Sequence, residues 1–360
     1  MKRVLSAIFA IVFLAFTASA EQLKYVDATK LGIHGYTKQT EKSPYYRFDH
    51  TPYEGFNKTI ISHSKKSAGL YVVFKTNSSQ ISASWENVKH RMGDNMTGVA
   101  QHGLDLYIKV GNEWKYCAVG RVSTLPEKNS RTKTIVKNLA KGEKECLLYL
   151  PLWCEVTKLE IGVDQEAYIE GLPTPFKHKV IVHGSSITHG ASASRPGMTY
   201  AAVMSRNLGI NFVNFGFSGE CKMQPQFLEF LKSVECDAFV FDAFSNSSLQ
   251  IVKERLDNFV AELVKAHPGK PLIFLQSPCN TESRFDTEQW GRRQAINSEA
   301  ARRMKILQKQ YKDVYFLDVK DVLGKDGSID NSHPTDLGFY RFVEAYQPKI
   351  AKILRKYGIK

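Results

Sequence analysis

Apolar and polar residues follow two different rhythms along this chain, and the change between them falls near residue 172. From about Gln22 to Ile169 the apolar residues come in short runs with strand character: YVVF at 71–74, QISASW at 80–85, DLYIKV at 105–110, KECLLYL at 144–150 and KLEIGV at 158–163. Turn-forming stretches such as Thr76-Asn-Ser-Ser79 and Gly111-Asn112 separate them, and no convincing helical period runs through the segment. Many short strands at this spacing predict an antiparallel β-sandwich, jelly-roll-like in form. The stretch Gly171-Leu-Pro-Thr-Pro175 then breaks the pattern. A linker this short requires the two domains to touch.

Beyond it, strand and helix alternate. The apolar runs are KVIV (179–182), NFVNF (211–215), DAFVF (237–241), PLIFL (271–275) and VYFL (314–317), and amphipathic stretches follow at about 197–208, 224–233, 248–266, 288–311 and 336–357. Five such units predict a five-stranded parallel sheet with helices on both faces, a three-layer α/β domain. Pro348 is expected to kink or split the last helix. The expected organisation is thus residues 21–172 as the sandwich and 176–360 as the α/β domain.

The first twenty residues stand apart. Lys2 and Arg3 precede an apolar run from Val4 to Phe16 that ends in the small residues Ala18, Ser19 and Ala20. This is the pattern of a secretory signal peptide. No later segment has the roughly 20 apolar residues that a membrane-crossing helix needs. A soluble protein, periplasmic or extracellular, is the expectation. The net charge of +13 is spread as scattered lysines and arginines, of which Lys2 and Arg3 belong to the leader. Scattered charge reads as a solvated surface, and no arginine and aromatic signature of nucleic-acid binding occurs. Six cysteines, Cys117, Cys146, Cys154, Cys221, Cys236 and Cys279, lack the close pairing of a zinc site. Their disulfide pairing stays open, and neither metal nor cofactor is expected.

In an open parallel sheet the ligand site lies beyond the carboxyl ends of the strands. After the first strand comes His183-Gly-Ser-Ser-Ile-Thr-His-Gly190, after the second Gly216-Phe-Ser-Gly219, after the third Asp242-Ala-Phe-Ser-Asn246 and after the fifth Asp330-Asn-Ser-His-Pro334. A serine hydroxyl becomes a nucleophile when an imidazole takes its proton and a carboxylate fixes that imidazole. Ser186, His333 and Asp330 are the candidate set, and the three-residue spacing lets one turn hold both Asp330 and His333. Backbone N–H groups of Ser186 and Gly219 and the side-chain amide of Asn246 are the candidate oxyanion donors. Arg195, Gln276 and Trp290 are candidate substrate contacts from their positions after strands or in the region 277–291. His183 and His189 flank the nucleophile turn. No carboxylate pair of the kind used in glycoside hydrolysis stands out.

These blocks resemble the SGNH hydrolases, or GDSL-type esterases, whose signature residues are a serine, a glycine, an asparagine and a histidine in separate blocks. The matches are Gly184-Ser-Ser-Ile-Thr188, Gly219, Asn246, and Asp330 with His333 in an Asp-x-x-His-Pro pattern. The resemblance spans roughly residues 178–345 and implies a flavodoxin-like sheet. Two departures are visible: Ser185 stands where the family usually has aspartate, and Ser245 and Ser247 flank Asn246 where Gly-x-Asn-Asp is common. The runs Gly103-Leu-Asp-Leu-Tyr107 and Ala193-Ser-Arg-Pro-Gly-Met-Thr-Tyr200 are similar to a two-domain branch with an N-terminal GxDLY-type domain. That branch resembles carbohydrate esterases which remove acetyl groups, so an acylated small molecule or glycan is the implied substrate.

Each residue also has a plainer role open to it. Ser186 is equally a helix N-cap, Gly219 a tight turn, Asn246 a cap for the helix near Leu249, and Asp330-Asn331 a turn pair beside a surface His333. Two other functions share the pattern: the same chemistry on a lipid or thioester acyl chain, and a non-catalytic glycan-binding protein.

Overall fold

The structure, a computed structural model, describes residues 22–88, 93–122, 130–278 and 284–360. The leader read at residues 1–20 and Cys279 lie outside the described residues.

Before residue 172 the described chain forms the strands β1 (Leu23–Asp27), β2 (Ile33–His34), β3 (Tyr71–Thr76), β4 (Ile81–Asn87), β5 (Leu104–Val110), β6 (Glu113–Gly120), β7 (Ser130–Val136), β8 (Lys144–Tyr149), β9 (Val156–Asp164) and β10 (Ile169–Gly171). One sheet has the order β1-β9-β4-β7 and the other β10-β3-β8-β5-β6, with β2 beside β3. All these pairings are antiparallel. Side chains alternate across a strand, and here both faces of one sheet are used. Val72 and Phe74 of β3, Leu104 and Leu106 of β5, and Leu148 of β8 join Ile81, Ala83 and Trp85 of β4 in the sandwich core. The residues between them, Tyr71, Val73, Tyr107, Leu147 and Tyr149, pack instead with Phe176 and Ala202 of the following domain. Near-continuous apolar runs such as YVVF are the mark of strands buried on both faces.

Three short helices interrupt this region, α1 (Ala28–Leu31), α2 (Lys58–Ser64) and α3 (Gly98–His102), where the hydrophobic pattern gave no helical signal. They are too short for an apolar period to emerge. The segment around α2 belongs spatially to the α/β core: Phe48 and Ile60 are buried in its apolar cluster, and Phe48 meets Phe215 edge to face at 5.2 Å. Burying a phenylalanine of this kind contributes roughly 2 kcal/mol.

The second half carries β11 (Lys177–Gly184), β12 (Ile210–Gly216), β13 (Ala238–Asp242), β14 (Leu272–Leu275) and β15 (Val314–Leu317), all parallel, in the order β12-β11-β13-β14-β15. Its helices are α4 (Ser186–His189), α5 (Tyr200–Leu208), α6 (Pro225–Ser233), α7 (Leu249–Ala266), α8 (Thr287–Gln310) and α9 (Asp336–Arg355). Ile181 of β11 faces a cluster built with α6, α7 and α8, and Val180 and Val182 face another built with α5 and α9. This is the expected three-layer, flavodoxin-like arrangement. Pro348 does not split the last helix, since α9 runs unbroken through it. Both Pro348 and Glu344, the residue whose carbonyl loses its bond, are exposed. Water can serve that carbonyl while Phe342, Tyr346, Ile350 and Leu354 hold the buried face.

The five described cysteines are free thiols. No helix among the described residues is long and apolar enough to cross a membrane.

Candidate active site

The first block becomes a sharp strand-to-helix turn. Ser185 is the N-cap of α4, its hydroxyl accepting from the Ile187 amide at 3.2 Å, which leaves Ser186 as the first helical residue. A Cβ on Gly184 would lie 1.9 Å from the Thr188 hydroxyl, and one on Gly216 would lie 2.1 Å from the His189 amide. Only glycine lets α4 settle this closely onto the ends of β11 and β12. Asp242, paired in register with Gly184 at the end of β13, receives the Ser185 hydroxyl, the Ser185 amide at 3.2 Å and the Ser245 hydroxyl at 2.5 Å. Burial pushes this carboxyl up, with the bonds from Ser185 and Ser245 acting the other way. A carboxyl therefore braces the turn even though residue 185 is serine.

Ser186, 7% exposed, has its hydroxyl 2.8 Å from His333 Nε2, and His333 Nδ1 lies 2.7 Å from Asp330 Oδ2. The turn that holds the last two is an Asx turn: Asp330 Oδ1 accepts from the amides of Ser332 at 3.0 Å and His333 at 2.8 Å. Asn331 takes the left-handed conformation this requires, with φ of 62°. The His333 carbonyl accepts from Ile329 N at 3.0 Å and Ser328 Oγ at 3.0 Å, so the loop is pinned on both sides. Burial works to raise the Asp330 carboxyl, and the bonds from the His333 amide and imidazole outweigh it, leaving the group below its ordinary value. The three side chains thus meet across 147 residues of chain.

Beside Ser186 and His333 is an open cavity of about 180 Å³, lined also by Phe244, Asn246, Ser277, Arg293 and Asn297. Asn246 does not cap α7, because Ser248 does so through its bond from Ile251 N. Its buried Oδ1 has no hydrogen-bond partner, so the amide is uncommitted within the protein. Gly219 has φ of +75° with open space where a Cβ would stand. It is not among the described residues lining this cavity. The Arg293 guanidinium donates to the Ser332 hydroxyl next to His333. Sequence reading passed over Arg293, Asn297 and Asp242, although Asp242 stood in one of the strand-end blocks.

Arg195, a candidate substrate contact, lies at the domain joint and is not among the described residues lining either cavity. Its guanidinium donates to both oxygens of Asp105, at 3.0 and 2.8 Å, and to the Tyr107 hydroxyl. Asp105 is fully buried and also accepts from Gly197 N at 2.8 Å. Burial works against the Arg195 charge, and Asp105 beside it overrides that, raising the guanidinium above its ordinary value. The Gly-x-Asp-Leu-Tyr run is therefore a joint: its leucines fill the sandwich, while Asp105 and Tyr107 grip the α/β domain. Gln276 and Trp290 line a neighbouring cavity of about 450 Å³ that shares Ser277 and Asn297 with the first. His183 and His189 are fully buried, with ring nitrogens on the carbonyls of Phe215 at 3.0 Å and Leu152 at 2.9 Å. Neither lines the cavity. No cluster of three or more metal-ligating side chains occurs among the described residues.

Known proteins bear on this geometry. Residues 177–351 match a family described as GDSL-like Lipase/Acylhydrolase, and residues 23–169 match one described as the N-terminus of Esterase_SGNH_hydro-type. A protein from Bacteroides ovatus described as GDSL-like lipase is 39% identical, covering 93% of this chain and 98% of its own, with a TM-score of 0.88. A salicylyl-acyltransferase from a tetracycline biosynthetic pathway is 18% identical over 94% of this chain and 99% of its own, with a TM-score of 0.67. A family two carbohydrate esterase from Clostridium thermocellum, solved in complex with cellohexaose, is 14% identical over 81% and 93%, with a TM-score of 0.56. These last two share the fold. No curated protein matches the chain.

Proposed function

We propose a function from one premise: the chain belongs to the GDSL-like lipase/acylhydrolase family, the SGNH hydrolases. As an esterase or acylhydrolase, it has Ser186 as its nucleophile, His333 as its base and Asp330 as the group that orients the base. The observation that carries this reading is the unbroken line from Ser186 Oγ to His333 at 2.8 Å and from His333 to Asp330 at 2.7 Å.

In the reaction Ser186 Oγ attacks the ester carbonyl carbon while His333 Nε2 takes its proton. Asp330 accepts the Nδ1 hydrogen, which selects the tautomer with a free Nε2 lone pair and stabilises the imidazolium. The oxyanion is met by the N–H groups of Ser186 and Gly219 and by the Asn246 amide. An uncommitted amide at the cavity wall supports that last assignment. Collapse expels the alcohol, protonated by His333, and leaves an acyl group on Ser186. Water, deprotonated by His333, then releases the acid and restores the serine.

The acyl group is small, and acetyl fits best. The cavity of about 180 Å³ beside Ser186 supports a short acyl group, since a long chain would have to reach on into the neighbouring cavity of about 450 Å³. The alcohol is a carbohydrate in this reading, supported by the fold shared with a cellohexaose-binding carbohydrate esterase. Residues 1–20 act as a secretory leader, so the exported protein should begin near residue 21. N-terminal sequencing of the secreted form checks this, and an intact Met1 there rejects it.

Hydrolysis of p-nitrophenyl acetate and p-nitrophenyl octanoate by the wild type and Ser186→Ala tests the enzyme reading. Acetate turnover that falls by roughly a thousandfold or more in the variant is expected. Preference for octanoate would reverse the acyl assignment, and equal activity of the two proteins would remove Ser186 from its role.

A further inference from the structure

The sandwich domain reaches the Asp330–His333 pair through the side chain of Asn95. Asn95 lies in the turn before α3, and its Nδ2 is 3.4 Å from Asp330 Oδ2 and 3.4 Å from His333 Nδ1. The Nδ1 hydrogen is already directed at Asp330. The acceptor left for the Asn95 amide is therefore the carboxylate. Asp330 is held by its own turn through Oδ1, whereas Oδ2, on a side chain that is 38% exposed, carries the imidazole bond and has the Asn95 amide beside it.

The turn that carries Asn95 is built to hold it there. Gln101 is fully buried and clamps the turn from below, accepting from Gly93 N at 2.6 Å and donating to the carbonyls of Gly93 and Met96, both at 3.1 Å. On the other side Thr97 Oγ1 donates to the Ser194 carbonyl at 2.5 Å. Ser194 in turn donates to Asp336 through its amide at 2.9 Å and its hydroxyl at 2.5 Å. Asp336 opens α9, three residues after His333. Asn95 and His333 are thereby tied to one rigid frame through two different routes. Held donors cost less entropy per bond than free ones.

We propose that Asn95 is a positioning residue, contributed by the sandwich domain, which fixes the Asp330 carboxylate against His333. The proposal rests on the esterase reading for its catalytic consequence, but not for its geometry. Charged groups on the elements that meet the imidazole are Asp330 beside it, Arg293 of α8 on the adjacent Ser332, Asp336 at the start of α9, and Asp94 next to Asn95 in sequence. All of these stay in place when residue 95 alone is changed.

Two variants separate positioning from general structure. Asn95→Asp is isosteric and sets a second carboxylate beside the pair. The His333 imidazole, followed by NMR and identified by its absence in His333→Ala, should then titrate upward by roughly one pH unit, since nearby negative charge favours the imidazolium. The acid limb of kcat/KM for p-nitrophenyl acetate should move with it. Asn95→Ala should lower kcat roughly three- to tenfold with KM unchanged, the effect of losing one ordinary hydrogen bond, since this one is 3.4 Å long and exposed. An unmoved imidazole titration in Asn95→Asp, or a wild-type kcat in Asn95→Ala, overturns the proposal. Should the wild type hydrolyse no ester, the esterase reading falls, and the titration still decides whether Asn95 acts on the pair.

Discussion

At the residue scale, the candidate site is a set of polar groups whose bonding is almost complete before any substrate arrives. Asp330 uses one oxygen for two backbone amides and the other for the imidazole, and the Asn95 amide reaches that second oxygen from outside the turn at 3.4 Å. Replacing it with asparagine keeps the shape but offers an N–H where His333 needs an acceptor. Asp330→Asn should therefore lower kcat by about a thousandfold or more. The carboxyl sits below its ordinary value in the folded protein. The stability it contributes is thus present above the unfolded-state value of about 3.9 and is lost as pH falls through the folded one. Urea unfolding at neutral pH and near pH 3 checks the sign: the stability of wild type relative to the variant should be greater at neutral pH, and by little, because the group is part exposed. Most of these residues were legible in the chain, because Ser186, Gly219, Asn246, Asp330 and His333 all follow apolar runs with strand character. For Arg195 the same signal left out its partner. Its place after a strand suggested a ligand contact, whereas the charge it meets is Asp105, ninety residues away.

At the scale of elements, the hydrophobic pattern worked where an element is long or buried and failed where it is short or polar. The five parallel strands and the helices α5 to α9 came out within a few residues of their observed bounds. Strand β7, with the sequence SRTKTIV, is mostly polar and half exposed, as an edge strand tolerates. It carries no period to read. Helix α9 survives Pro348 because its stability comes from the buried stripe and not from each backbone bond. The turn into α4 is braced from the neighbouring strand. Where an aspartate is usual, Ser185 donates to Asp242 on the neighbouring strand.

At the scale of the molecule, the two halves are joined by the faces of strands and not by a linker alone. Tyr71, Val73, Tyr107, Leu147 and Tyr149 present an apolar surface to Phe176 and Ala202, and the Arg195–Asp105 pair sits beside it with Tyr107 in contact with both domains. Asp105→Ala should destabilise the protein by about 3–5 kcal/mol, since it strands a half-buried guanidinium and the Gly197 amide. Arg195→Met should recover part of that loss when combined with it, which denaturant unfolding of the two single variants and the double variant measures. Additive losses would mean that the two side chains do not act as a pair.

The sequence by itself determined what depends on local periodicity: a strand-rich first half, five strand-helix units in the second, and polar blocks at the strand ends where a parallel sheet binds its ligands. These are legible because a strand repeats every two residues and a helix every 3.6, so each element writes its own pattern. The tertiary structure alone decided which distant groups share a boundary. Asp242 met the Ser185 hydroxyl, Arg195 met Asp105 at the domain joint, Phe48 and Ile60 joined the core of the other half, and Asn95 came to rest against Asp330 across 235 residues. No local pattern encodes such meetings, because they follow from how two finished surfaces pack and which buried polar groups must find partners there.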